Sequence, residues 1–208
     1  MNASDTTRQK IIDAARARFA HYGYGKTTMA DVADDCAMSP GNLYRYFAGK
    51  LDIAEEIARA ASIRTTEELS HILIQSDRSA AERLHDFLFH DLRATYHALE
   101  KDPKLVEMAQ IITQERPHFH DEGLEREREV LVRIVEFGNI SGEFHVADPL
   151  FIAEMIQSAT LKFSYPQLFS SLSLDLLERE LEGVYQIVIA GLKAGVALVS
   201  PPLDMVDA

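Results

Sequence analysis

Side chains able to touch a polyanion crowd into one short stretch of this 208-residue chain. Asn42, Tyr44, Arg45 and Tyr46 fall within five consecutive positions, with Lys50 four residues further on and Thr28 upstream. Tyrosine hydroxyls and asparagine amides donate to phosphate oxygens and so fix register, while an arginine can also grip a guanine edge with two bonds. Gly41 has no side chain and lets a duplex come close. Lys50 stands where the next helix should begin, so its ammonium and that helix's N-terminus could share one phosphate. This is the chemistry of contact, not of bond making.

Patterns for bond making are missing. The sequence has no GxSxG, no P-loop and no GxGxxG, so no catalytic residue and no cofactor is expected. Two groups hold metal-ligand types: His85, Asp86, His90 and His97 on one expected helix, and His118, His120 and Asp121 after Pro117. Neither comes with an HExxH or a paired CxxC, so solvated or partly buried histidines are the simpler reading and no metal is expected. Glu125 to Glu129 reads as a solvated helix face with i, i+4 ion pairs. The single cysteine, Cys36, can form no internal disulfide and fits packing in a reducing, cytoplasmic setting.

The elements that must position the contact residues follow from caps and periodicity. Ile12, Ala15, Phe19 and Tyr22 mark the buried face of a first helix, which Gly23 and Gly25 stop. Thr28 is a good N-cap for a second, short helix, with Asp31 set against its positive end and Ala30, Val32 and Ala33 able to pack closely. Cys36-Ala37-Met38 makes a three-residue connection. Ser39 then caps a third helix and Pro40 takes its first position, where a missing N–H loses nothing. Leu43 and Phe47 point inward at i, i+4, which leaves Asn42, Tyr44, Arg45 and Tyr46 outward or on the flanks. Two short helices joined by a tight turn form a helix-turn-helix, whose second helix enters a major groove.

This segment resembles the DNA-binding domain of the TetR/AcrR family of bacterial transcriptional regulators. The resemblance rests on Tyr22-Gly23, Thr27-Thr28, Ala33, Ser39-Pro40-Gly41, Leu43-Tyr44, Tyr46-Phe47 and Lys50, and is sharp over roughly residues 8–58. It implies that Thr28, Tyr44, Tyr46 and Lys50 contact phosphates, and that Pro40, Gly41, Asn42 and Arg45 lie on or near the base-reading surface. Ala37 stands where such proteins often have a turn glycine, and Gly49 where a capping side chain is frequent. Asp34 and Asp35 would repel DNA if they faced it.

Charge divides the chain in the same place. Residues 1–50 hold seven Lys/Arg against five Asp/Glu, a net of +2, while residues 51–208 hold 14 against 28, a net of −14. A mildly basic head on an acidic body confines any polyanion contact to the head. The expected division is therefore a head at 1–50 and a ligand-binding and dimerisation body at 51–208. Hydrophobic residues at 47% with 26% charged exclude a disordered or collagen-like chain. No apolar run reaches the roughly 20 residues of a membrane span, and the polar start from Met1 to Lys10 does not read as a secretory signal.

The body reads as helices, giving an all-α fold of about nine. Stripes run through Leu84, Leu88, Leu92 and Tyr96; Val106, Ala109 and Ile112; Leu131, Ile134 and Val135; and Leu177, Leu181, Val184, Val188 and Leu192. Pro103, Pro117, Asp148-Pro149, Pro166 and Pro201-Pro202 punctuate them, and Ile140 to Val146 reads as a helix-to-helix loop. The last two long helices, about 149–163 and 174–199, offer Ile152, Met155, Ile156, Ala159 and Phe163, and small residues for close approach. The resemblance implies a homodimer through these two helices. It also implies a small-molecule sensor between about Arg78 and Glu136. Candidate lining residues are Phe87, Leu88, Leu92, Tyr96, Met108, Ile111, Ile112, Phe119, Met155 and Phe163, suited to a largely apolar ligand. The expected protein is a repressor whose dimer binds a palindromic operator and is released by that ligand. The alternative is a helical ligand-binding or adaptor protein that has lost DNA binding.

Overall fold

The computed structural model describes residues 3–74, 77–164 and 172–195. Nine α-helices and one 3-10 turn (Ile72–Ile74) make up the described residues, with no strand among them, as the all-α reading expects. They are α1 (Ala3–Tyr22), α2 (Met29–Asp35), α3 (Pro40–Leu43), α4 (Lys50–His71), α5 (Ala80–Lys101), α6 (Pro103–Glu115), α7 (Pro117–Ser141), α8 (Pro149–Ser164) and α9 (Leu174–Ala194). Pro166, Pro201-Pro202 and the expected end of the last helix at Val199 lie outside the described residues.

The chain forms two compact units, and their division differs from the expected boundary at 50/51. The first runs to Arg64 and takes in Ala98–Gly123; the second holds Thr65–His97 and Leu124 onward. The first core explains the shift. Ile53, Ala54 and Ile57 of α4 and Met108 and Ile112 of α6 are buried with Ile11, Ile12, Ala15 and Phe19 of α1 and with Val32, Leu43 and Phe47. The head thus closes over α1, α2 and α3 with two further elements, α4 and α6, the latter lying against α1. Each Å² of apolar face removed from water is worth about 25 cal/mol, and α4 and α6 add apolar area that α1, α2 and α3 lack on their own.

Two predicted faces turn out to be rotated. Ile11 joins the α1 seam, whereas Tyr22 is 53% exposed and its ring lies under the Arg18 guanidinium at 5.2 Å. On α6 the inward residues are Leu105, Met108 and Ile112, and Ala109 faces solvent.

The second unit has its own core of Leu84, Leu88 and Leu92 on α5, Leu131, Ile134 and Val135 on α7, Ile152, Ile156 and Phe163 on α8, and Leu177 and Leu181 on α9. A long-range cap ties it: the N–H groups of Ala80 and Ala81 donate to the Glu143 carboxylate at 2.7 and 3.3 Å. The loop after α7 returns Phe144 over Gly138, where an added Cβ would sit 2.1 Å from the ring. Asp148 Oδ1 accepts from the Phe151 N–H at 3.0 Å and so caps α8, as the Asp-Pro pair predicts.

Candidate functional site

The helix-turn-helix is set by two caps and a turn. Thr28 and Asp31 form a reciprocal capping box: the Asp31 N–H donates to Thr28 Oγ1 at 3.2 Å, and the Thr28 N–H donates to Asp31 Oδ2 at 2.8 Å. The Thr28 hydroxyl also donates to that carboxylate at 2.7 Å, so its hydrogen is committed within the protein and only lone pairs face outward. These bonds hold the Asp31 carboxyl below the usual range.

At its other end α2 closes through Ala37, the single non-glycine residue with positive φ (+54°) among the described residues. The Ala37 N–H donates to the Asp34 carbonyl and the Met38 N–H to the Ala33 carbonyl, both at 3.0 Å, which is a Schellman closure. The turn therefore does use a left-handed residue; it is alanine where glycine would be strain-free.

Ser39 caps α3, accepting from the Asn42 N–H at 3.2 Å, and Pro40 opens it. The α-helix itself covers only Pro40–Leu43. Beyond it the backbone stays wound, with the Tyr44 N–H on the Pro40 carbonyl and the Arg45 and Tyr46 N–H groups on those of Asn42 and Leu43. Leu43 and Phe47 are buried, as their spacing predicts. Gly41, Tyr44 and Arg45 are exposed, Tyr44 to 54%; Pro40 is exposed, Asn42 half-buried, and Tyr46 leans on the core. Nothing within the chain crowds a Cβ at Gly41, so its small size serves no internal contact.

Lys50 behaves otherwise than a simple phosphate contact. Its ammonium donates to the carbonyls of Tyr24 and Thr27, each at 2.7 Å, and sits 4.2 Å from the Tyr24 ring centre. Burial there lowers its pKa. Lys50 thus ties the loop between α1 and α2 to the start of α4 and keeps one of its three N–H donors. Of the two acids next to the reader, Asp35 is compensated: Arg18 grips its carboxylate with two nitrogens, one at 2.7 Å, and lies 3.6 Å from Asp31, while Asp34 is exposed. Cys36 is buried and its thiol pKa is pushed up by burial, which keeps it a packing residue.

In the second unit a cavity of about 20 Å³ opens between α5, α7, α8 and α9. Phe87, Leu88 and Phe163 line it, three of the expected residues, together with Leu124, Leu131, Leu161 and Leu181. Leu92 is buried in the surrounding core, Tyr96 packs at its edge, and Met155 faces outward. Met108 and Ile112 fill the first unit's core with Phe119 packed against it, and Ile111 is half-buried on the same helix. These four do not line this cavity and lie in the first unit. Periodicity missed two carboxyls that the cavity meets, Asp91 and Glu127. Asp91 sits three residues past Leu88, and Glu127 lies between Leu124 and Leu131, so each interrupts an apolar stripe.

The last two helices carry a second apolar stripe that the protomer leaves open. Leu177 and Leu181 point inward with Tyr185 and Leu192. Val184 and Val188 are only half-buried, while Ile187 is 76% exposed and Gly183, Ala190 and Ala194 share its face. On α8, Met155 and Ala159 are likewise exposed.

The histidines separate. His85 lies 3.5 Å from Glu182, His90 3.5 Å from Glu68 and His118 3.9 Å from Glu55, and among the described residues no three potential ligands gather around one point. The His120 side chain lies outside the described ones. No described helix is long and apolar enough to cross a membrane.

An exposed third-helix segment held on a head built from α1, α2, α3, α4 and α6 defines a helix-turn-helix protein. The pattern described as "Bacterial regulatory proteins, tetR family" matches residues 11–61, and that of "Tetracyclin repressor-like, C-terminal domain" matches residues 80–185. The chain belongs to the TetR/AcrR family of regulators. It is 39% identical over 51 residues to the "Probable acrEF/envCD operon repressor" of Escherichia coli K12, a match spanning 24% of this chain and 23% of that protein. About a quarter of such relatives is thus covered. A TetR-family protein of Mesorhizobium loti shares the fold with a TM-score of 0.68 at 17% identity, over 91% of this chain and 98% of that one. The SmeT–triclosan complex aligns with a TM-score of 0.62 at 19% identity, over 94% and 96%.

Proposed function

We propose that this chain is a DNA-binding transcriptional repressor, working as a homodimer in the cytoplasm and released from a palindromic operator by a small ligand in its second unit. One observation carries the reading. Tyr44 and Arg45 stand exposed at the end of a segment capped and packed from behind, and no described side chain bonds to either. Donors that the protein does not spend internally stay available to a partner. Arg45 has the fork to read a guanine edge, and Tyr44 the hydroxyl to meet a phosphate. Pro40, Gly41 and Asn42 line the approach, and the remaining N–H of Lys50 lies at the edge of the same loop. Thr28 contributes by capping α2.

Two heads must act together, because one short reader binds weakly. The open stripe of Gly183, Ile187, Ala190 and Ala194, with Met155 and Ala159, suits an isologous helix-on-helix interface about a two-fold axis. The SmeT–triclosan complex, of the same fold, supports a small-molecule ligand here, and the cavity beside Phe87, Leu88 and Phe163 would receive it. Ligand and operator each favour one arrangement of the dimer, so the ligand weakens DNA binding by its differential affinity for the two.

Fluorescence anisotropy with labelled duplexes tiling the DNA upstream of the protein's own gene tests this. Tight binding to one duplex, competed poorly by the others and steeply salt-dependent, is expected. Equal and weak binding to all of them at low salt would remove the reading.

A further inference from the structure

The second-unit cavity is acidic at one end and apolar at the other. Phe87, Leu88, Leu131, Phe163 and Leu181 form the apolar wall. Asp91, Glu127, Thr160 and Ser164 meet at the polar end. Asp91 is almost wholly buried. The Glu127 stem is partly exposed, but its carboxyl lies well inside, and no described residue makes a hydrogen bond or ion pair with it.

The hydroxyl hydrogens at this end are already committed. Ser164 Oγ donates to Asp91 Oδ2 at 2.8 Å, and Thr160 Oγ1 donates to the Ile156 carbonyl at 2.8 Å. Gln157 accepts from Arg128 and donates to the Leu124 carbonyl, both at 2.9 Å. What faces the cavity is therefore two carboxyls and two hydroxyl oxygens whose own hydrogens are spent; burial keeps Glu127 largely protonated without a cation beside it, and loss of that proton would make it an acceptor for a cation. The Ser164 bond and His90 offset burial of Asp91, and Arg126 offsets that of Glu127, yet both carboxyl pKa values remain raised, so the ionised pair is costly and the cost falls when a cation arrives.

Resting on the effector reading above, we infer that this site selects a cationic amphiphile, with an ammonium head between Asp91 and Glu127 and an apolar tail directed out of the cavity. The cavity of about 20 Å³ holds one water-sized group, and an ammonium is that size with three or four donors to give. The tail leaves past Leu124 and Leu161, the lining leucines that solvent reaches. A metal ion fits less well, because no third His, Cys, Asp or Glu joins the pair among the described residues. A carboxylate ligand would gain no opposite charge from Asp91 or Glu127.

Isothermal titration of the full chain, without DNA, with n-octylamine, 1-octanol and octanoate tests this. The three probes share a tail and differ in the head. Saturable binding of the amine, at least tenfold tighter than the alcohol and the acid, is expected. Glu127→Gln and Asp91→Asn should each lower amine affinity at least tenfold and leave octanol unchanged. Equal binding of amine and octanol, or unchanged amine affinity in both folded variants, would overturn the inference. Should one variant fail to fold, the other and the wild-type comparison of heads still decide. Release of an operator duplex is read separately. Amine binding without release would leave the inference standing and remove the effector role, whereas release by octanol with no amine preference would do the reverse.

Discussion

Lys50 holds Tyr24 twice, by a 2.7 Å hydrogen bond to its carbonyl and by a 4.2 Å approach to its ring. With the second bond to the Thr27 carbonyl, one ammonium fixes the loop that sets where α2, and so the reader, begins. A charge-assisted bond contributes about 1.5–3 kcal/mol when both partners are ordered. Partial solvent access reduces this, so Lys50→Met is expected to destabilise the protein by roughly 1–3 kcal/mol in urea unfolding. The same variant should lower the salt slope of DNA binding by no more than about one unit, because a single donor remains for phosphate. A slope change with no stability change would assign Lys50 to DNA alone.

Ala37 predicts a gain. A left-handed alanine is strained by about 1–2 kcal/mol, and glycine's extra freedom in the unfolded chain returns about 0.4–1 kcal/mol of that. Ala37→Gly should therefore raise stability by roughly 0.5–1 kcal/mol in chemical denaturation, with operator affinity unchanged, since Ala37 has no part in the reader surface.

The open stripe of α9 predicts a clean dissociation. Ile187 is 76% exposed, so Ile187→Glu leaves the protomer core intact. Sedimentation at micromolar concentration should show a folded monomer, and operator affinity should fall at least 100-fold. A variant that remains dimeric would move the interface elsewhere.

Glu127 makes stability fall as pH rises. Burial first, and the neighbouring Asp91 second, push its pKa up to about 8, with Arg126 opposing. Asp91 is also raised by burial, opposed by the Ser164 hydrogen bond and His90. A carboxyl whose folded pKa lies above its unfolded value stabilises fully below the unfolded pKa of about 4.5, and that contribution is lost as pH climbs through about 8. Thermal unfolding from pH 5 to 8.5 should show this decline, limited to about 1.4 kcal/mol per pH unit per proton. Glu127→Gln should flatten it and be more stable than wild type at pH 8.

Much of the head was legible because its signals are local. Caps at Thr28 and Ser39, a proline at the first position of α3 and the i, i+4 pair Leu43 and Phe47 act within one turn of chain. The body was less so, because apolar residues lie on more than one face of its helices. On α9 the stripes of Leu177 and Ile187 both fit helical spacing, and only packing decides which is inside. Met108 and Ile112 join a core nearly 100 residues away in sequence, about which periodicity is silent. Lys50 was read for its charge, when its carbonyl partners depend on how the loop closes. Asp91 and Glu127 did leave a trace, as acids placed in phase with leucines, but a run such as Glu125 to Glu129 looks like a solvated face until its rotation is known.

Hydroxyl-radical footprinting of the wild-type protein and Tyr44→Phe/Arg45→Ala on the upstream DNA bears most directly on the claim that Ser39 to Tyr46 is a paired reader. Two protected patches related by a two-fold axis, centred about one helical turn or a multiple apart, are predicted for wild type, with their loss in a variant whose stability and dimerisation are unchanged. A footprint that persists unaltered in the double variant, or a single unpaired patch, would contradict it.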